Sequence, residues 1–478
     1  MHAYYNRRQS DYLKKTKMDV VGNEDTAEKN LKPIPRERAF LETFCYTIAQ
    51  FQFDRAQEFV EKEREMFKPE AGSNWNALLN ALLTFAHAEK NYFTMAFIEK
   101  KLFKQTIRPL YTNLSAELTK QEVVFDSPKL HSKSTPHGVE ALTVELSKQI
   151  IQFTSARLKM IDFYEFMAKS GWNHAQNIQE IIQSITNISM EFLKAFHHPI
   201  LDPLKTSFSY EVDIVSNIFK IENHLAEWDF LDSLLLLREC QAKLSAWSSL
   251  SPSTSVKEQL LSTFSYKSLF SRSNKKQTEM TPFLYQWLIS MYSSLLSKFS
   301  FYFFTSLSAQ APAADIKASL SKTSIDFISK FLNFQRKTDV LSMSLVLDTT
   351  TKKNTFKGHG YHLRSTICEK PTGMNSYPSV MNIPDIRPKE HWPNVISIIN
   401  DQRQALNVTD KIVYFYDQKL ESSYFLIKVD VRMTLVLIYS VKRKERDNYI
   451  QNFLVDIRSS LNHDKLYHML RPGQAKTF

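Results

Sequence analysis

A chain of 478 residues, 43% hydrophobic and 13% aromatic, has apolar material for two or three domains with sizeable cores, which excludes an unstructured tail. Sixty-one Lys and Arg against fifty Asp and Glu leave a net charge of +11, yet no long basic run concentrates it, so composition favours a soluble protein over a nucleic-acid protein. Cys45, Cys240 and Cys368 stand far apart with no CxxC pair; this argues against a disulfide framework and a cysteine zinc site and points to a reducing compartment.

Residues 1–35 read as a disordered arm. They lack the apolar stretch of a secretory signal, and Asp11, Asp19, Glu24 and Asp25 do not suit a mitochondrial presequence. The sequons at Asn113, Asn187 and Asn407 are then incidental. Residues 36–248 read as a helical bundle. Its first helix starts near Arg36 with Phe40, Leu41, Phe44, Ile48 and Phe51 at helical spacing, and a second, Asp54 to Phe67, carries EKERE on a solvated face. Ser73 is the expected N-cap of a third, and the pattern then runs to about Lys120 with a turn expected near Arg108-Pro109. Further helices are expected over Val139–Ser170, Ala175–Phe196, Leu204–Trp228 and Phe230–Trp247. The run Leu234-Leu235-Leu236-Leu237 places the last of these in the middle of the bundle, and His197-His198 are expected to face the C-terminal dipole of the helix before them.

Residues 249–280 turn to serine and lysine and read as a linker or mobile loop, its serines beside Arg272, Lys275 and Lys276 open to phosphorylation. Residues 281–338 complete the bundle. Trp287 to Leu307 is the most apolar segment, but Lys298 and the serines lie mainly opposite Leu288, Met291, Leu295 and Phe299, the pattern of an amphipathic core helix rather than a membrane span. One more helix is expected over about Ala314–Phe334.

Residues 339–478 read as a small α/β domain. From Leu341 the period becomes two, and an irregular strip from Asn354 to Asn394 gathers Gly358, Gly360, Gly373, five prolines and three histidines. Val395 to Tyr416 has helical spacing through Leu406, Ile412, Val413 and Phe415. Ser423–Val429 and Met433–Val441 form a hairpin, and a helix from about Glu445 to Leu461 closes the chain. The fold class is mostly α, a helical bundle followed by a longin- or roadblock-like α/β domain with helices on one side of the sheet.

Sites of chemistry are sparse. No GxGxxG, GxxxxGK, GxSxG or HExxH occurs, and the kinase signatures are missing. His359, His362 and His391 with Cys368 could converge on zinc, but loop histidines beside Gly and Tyr more often donate to backbone carbonyls, so we expect no metal, cofactor or catalytic residue. Most aromatics sit on core stripes, so no nucleic-acid partner is expected, and the basic run VKRKERD, Val441 to Asp447, reads as a solvated helix start. Were the chain a regulator of a GTPase, Arg387 or Arg432 would be the finger.

GHGYH at Gly358–His362, followed by YPSVMNIPDIRP and HWPNVISII, resembles the family of the helical subunit of the KICSTOR complex. KFSFYF at Lys298–Phe303, FHHPIL at Phe196–Leu201, VEKERE at Val60–Glu65 and SSYFLIKV followed by KERD resemble it in the same order, so the likeness covers about Arg36 to Pro472. It implies a non-enzymatic scaffold, cytoplasmic and recruited to the lysosomal surface. Its implied partners are kaptin, an integrin-repeat-like subunit and a large scaffold subunit, together with the GATOR complex that acts on Rag GTPases. Membrane association would then be indirect, self-association is left open, and the implied outcome is restraint of TOR complex 1 when amino acids or glucose are scarce. The alternative is a basic membrane-surface or GTPase-binding regulator. Gly358, His359, Gly360, Tyr361, His362, His391, Trp392, Pro393 and Asn394 are the candidate contacts, either staples between the domains or surfaces for a partner.

Overall fold

The computed structural model describes residues 35–67, 73–97, 107–125, 138–170, 178–250, 281–320, 323–350, 356, 358, 362 and 371–470. The expected arm apart from Pro35, the serine-rich linker apart from Ser249 and Leu250, Cys368 and the strip residues His359, Gly360 and Tyr361 lie outside these.

The body is formed by helices α1 (Pro35–Ala49), α2 (Phe53–Phe67), α3 (Asn74–Phe93), α4 (Ile107–Phe125), α5 (Gly138–Ser170), α6 (Ile178–Phe192), α7 (Asp202–Ala226), α8 (Phe230–Ser249), α9 (Phe283–Tyr302), α10 (Phe304–Ser308), α11 (Ala313–Leu320) and α12 (Phe327–Lys337). Ser73 caps α3, its side chain accepting from the Asn76 amide, as its place before an apolar run predicts. The turn expected near Pro109 falls earlier. Pro109 lies in the first turn of α4, where a missing N–H leaves no intrahelical bond unmade.

Four other expectations for the body are corrected. His198 does not serve the helix before it: its Nδ1 accepts from the Ile200 amide at 3.2 Å and caps the short 3-10 turn Pro199–Leu201. Leu234 and Leu235 are 41% and 51% exposed, because α8 lies at the side of the bundle with only Leu237 of the four leucines fully covered. The segment read as one helix over 314–334 is two, α11 and α12, the second capped by Asp326 at the Ser329 amide. Within EKERE, Glu63 is buried and paired with Arg36 while its neighbours stay exposed.

The C-terminal part adds β1 (Ser342–Leu347), β2 (Ser379–Ile383), α13 (Trp392–Asp401), α14 (Arg403–Leu406), β3 (Ile412–Asp417), β4 (Ser422–Asp430), β5 (Met433–Tyr439), α15 (Asn448–Leu461) and α16 (Asp464–Met469). The five strands form one antiparallel sheet in the order β2-β1-β5-β4-β3, with Leu345 opposite Leu435 and Phe425 opposite Leu437 at its centre. Two stretches read otherwise are strands: Ser379–Ile383 inside the irregular strip, and Ile412–Asp417, whose apolar residues are too few to separate a period of two from one of 3.6. An α/β module on a helical body is the fold class expected, but helices cover both faces of the sheet rather than one.

Parity explains the two faces. Met343, Leu345 and Leu347 of β1, Phe425 and Ile427 of β4, and Leu435 and Leu437 of β5 point to the body and to Ile450, Leu454 and Ile457 of α15. That core runs from Phe40 to Leu470 without a break, so body and module share it. Val346, Tyr424, Leu426, Val436 and Ile438 point the other way, onto Trp392, Val395, Ile398 and Ile399 of α13 in a second core.

Candidate functional site

The strip begins with Gly358 at a φ of +100°, a left-handed conformation open to glycine, and its α-carbon lies close to the His362 ring: a side-chain carbon there would meet His362 Nε2 at 3.7 Å. The strip then enters β2 and reaches α13 through the turn Lys389–His391. Pro393 follows the first helical residue, where its fixed φ suits a helix start. Trp392 is buried in the second core, its Nε1 donating to the Tyr377 carbonyl at 3.1 Å while the Arg387 guanidinium sits 5.1 Å from its ring. His391 Nδ1 lies 2.8 Å from the Tyr424 hydroxyl, which Asn394 Nδ2 also reaches at 3.2 Å; Asn394 donates in turn to Asp417. Asp417 takes the Lys419 amide at 2.7 Å, and that bond, ahead of its other contacts, holds its carboxyl below the usual range.

His391, Trp392 and Asn394 thus fasten α13 to β4 and to the end of β3, within the module and on the face turned from the body. Trp392→Ala is expected to cost about 3–5 kcal/mol by opening the second core, measured as a lowered urea midpoint. Burial lowers the pKa of both His391 and His198 from 6.5, since the neutral ring is favoured in the fold. Below that value the unfolded chain binds more protons than the folded one. The stability these rings supply is therefore complete above pH 6.5 and falls with pH beneath it, and a His391→Gln, His198→Gln chain should show a flatter melting temperature between pH 7 and pH 5, roughly the window those directions set.

What fastens the module to the body lies elsewhere, in a buried charged group. Lys298 of α9, expected on a polar face, is 0% exposed, and its Nζ lies 2.8 Å from Glu222 of α7 and 2.9 Å from Asp430 of β4. Burial alone would lower the Lys298 pKa, but Asp430 and Glu222 outweigh it and the ammonium is held well above its ordinary value. Tyr302 donates to Asp430 at 3.0 Å, and His463, in the corner between α15 and α16, brings Nε2 within 2.5 Å of Glu222 and Nδ1 within 2.6 Å of Ser294. Simple alternation would turn Asp430 away from the body. A bulge between Lys428 and Asp430 reverses it and aims the carboxylate at Lys298.

A second group lies inside the body. Arg157 of α5 is 1% exposed; its Nε and Nη2 donate to the two oxygens of Glu89 at 3.0 and 2.8 Å, and its Nη1 to Glu211 at 2.5 Å. Tyr111 donates to Glu89 at 2.6 Å, Tyr92 and Tyr164 to Glu211 at 2.5 and 3.1 Å, and burial, then the carboxylates, raise these phenols so that they stay donors. Helical spacing could have flagged the second group, since Arg157 falls on the stripe of Phe153, Met160, Ile161 and Tyr164, whereas Lys298 shares its side of α9 with Ser294 and Ser297 and reads as polar face. The partners of both were beyond reach.

Other candidates resolve less dramatically. Arg432 is 5% exposed and donates to the carbonyls of Asp348 and Glu227 at 3.0 and 3.2 Å, a structural bond between module and body rather than a finger held out to a partner. His224, Asp229 and Asp232 bring their ligand-type atoms within 4.8 Å of one another, but Asp229 serves the start of α8, bonding the Asp232 amide at 3.1 Å and the His224 ring at 3.3 Å. No helix among the described residues is long and apolar enough to cross a membrane.

The chain is a helical body that shares its core with a five-stranded antiparallel module, their junction sealed by buried ion pairs. Residues 29–475 match the family model described as "KICSTOR complex C12orf66 like". The chain is 39% identical to KICSTOR subunit 2 of Danio rerio over 454 residues, 93% of this chain and 98% of the relative, and 36% identical to KICSTOR subunit 2 of Xenopus laevis over 447 residues, 92% and 98%. It belongs to the KICSTOR C12orf66-like family.

Proposed function

We propose that the chain is a non-enzymatic adaptor in a KICSTOR-type assembly, helping to place the GATOR complex at the lysosomal surface and so restraining TOR complex 1 when amino acids or glucose are scarce. The observation that carries this reading is the match to KICSTOR subunit 2 along nearly the whole chain. Kaptin, the integrin-repeat-like subunit and the large scaffold are the proposed partners. The geometry supports it in one respect. His391, Arg432, Lys298 and Arg157 each bond other groups of the chain, and such a molecule acts through the shape of its surface; α8 offers it the exposed pair Leu234 and Leu235.

Tagged full-length chain purified from nutrient-starved cells should bring down kaptin and the large scaffold at near-stoichiometric levels. Recovery of the chain alone would overturn the reading. Leu234→Asp, Leu235→Asp is expected to lower the melting temperature by only a few degrees, roughly the effect of lost helix propensity and of half-exposed side chains, and to weaken recovery of a partner. Undiminished recovery would remove these leucines from the contact surface while leaving the assembly reading to the first experiment.

A further inference from the structure

The basic run Val441–Asp447 has no part in the adaptor reading, yet it borders an open cleft of about 530 Å³ between the end of α12, the end of β5 and the start of α15. That volume is in the range of small-ligand sites, about 300–1,000 Å³. Arg336, Lys337 and Arg443 line it together with Asp339 and Asp447. Both acids are engaged: Asp339 pairs with Arg443, and Asp447 caps α15 through the Tyr449 and Ile450 amides at 3.0 and 3.3 Å. Arg336 and Lys337 are exposed and enter no ion pair among the described residues.

Two buried atoms point to what the cleft accepts. Tyr439 lines it and is 0% exposed, its hydroxyl beside that of Thr338; the buried Nε of Arg443, whose guanidinium carbon lies 5.2 Å from the Tyr439 ring, has no hydrogen-bond partner among the described residues. Buried polar groups are nearly always paired, so the Arg443 Nε asks for a partner. Both are donors, as are the two cations beside them that enter no ion pair among the described residues. Such a set suits a ligand rich in acceptor oxygens and bearing negative charge.

We propose that this cleft binds a small phosphate-bearing anion, free or as a lipid headgroup, with Arg336 and Lys337 supplying charge and Tyr439 Oη and Arg443 Nε supplying directed donors. The test uses the full chain with pyrophosphate and inositol hexakisphosphate as soluble probes, and phosphatidylcholine vesicles with and without phosphatidylinositol 4-phosphate. A soluble probe should bind by calorimetry and raise the melting temperature. Affinity should fall about tenfold or more in Arg336→Gln, Lys337→Gln and several-fold in Tyr439→Phe, and hold in Arg446→Gln, an exposed residue outside the cleft. Tyr439→Phe keeps the ring and removes only a hydroxyl whose neighbour is the Thr338 hydroxyl, so the free chain should melt within a few degrees of the parent, roughly the loss of one hydrogen bond, which separates lost binding from lost folding. Flotation with phosphoinositide vesicles but no soluble binding assigns the headgroup; soluble binding without flotation assigns a free anion. No binding in either arm, or equal loss in Arg446→Gln, overturns the proposal, the latter outcome reporting only a diffuse basic surface.

Discussion

Arg157→Leu is expected to destabilise the helical body by about 3–5 kcal/mol, because it leaves the carboxylates of Glu89 and Glu211 buried with no cation between them. Three tyrosines would still donate to these carboxylates, but phenols supply no charge to offset the desolvation. Arg157 joins α3, which carries Glu89 and Tyr92, to α7, which carries Glu211, and its guanidinium also lies over the Tyr92 ring at 4.2 Å. The loss therefore falls on the packing of at least three helices at once. Urea unfolding followed by circular dichroism would register it as a lowered midpoint. A midpoint within the range of ordinary surface substitutions, about 0.5 kcal/mol, would mean that water or relaxation reaches the carboxylates and that the group is not the clamp described above.

Lys298→Met should cost a similar amount, about 3–5 kcal/mol, but in a different place. Glu222 and Asp430 would then face each other without the ammonium that separates them, one fixed to α7 of the body and the other to β4 of the module. Repulsion across the junction favours parting the two. Hydrogen exchange should show the amides of β4, β5 and α15 losing protection ahead of those in α3 to α5, since the Arg157 group still holds the latter. Asp430→Asn, which removes one of the two facing charges, is expected to be milder. Uniform loss of protection in Lys298→Met would instead mean that body and module unfold as one unit, held by their shared core rather than by the charged junction.

The measurements on Trp392, on the two histidines and on Lys298 address different joints. Trp392 closes the second core on the outer face of the sheet; Lys298 closes the first on the inner face. A partner that binds the strip would be sensed at the former, and one that pulls body and module apart at the latter.

Much of this architecture was legible in order along the chain. Apolar stripes at helical spacing located most of the body, Ser73 marked a cap, and the alternation after Leu341 marked the start of the sheet. Those features are local: a helix face or a strand face is decided by residues within a few positions of one another, and their side-chain periods are fixed by backbone geometry. The strings around Gly358–His362 and His391–Asn394 likewise carried the family likeness, because resemblance needs order and identity but no coordinates.

Tertiary structure alone decided the rest. Lys298 reads as polar face until α7 and β4 are seen to bring Glu222 and Asp430 to it from 76 residues away and from the far side of a bulge. Leu234 and Leu235 read as core until the bundle is seen to leave that side of α8 uncovered. Ile412, Val413 and Phe415 read as helix until hydrogen bonds to β4 are available to make them an edge strand. In each case the free energy belongs to a pairing between distant segments, a buried charge with its counter-charge or a strand with its neighbour. A sequence states the two members of such a pair and leaves their meeting to the fold.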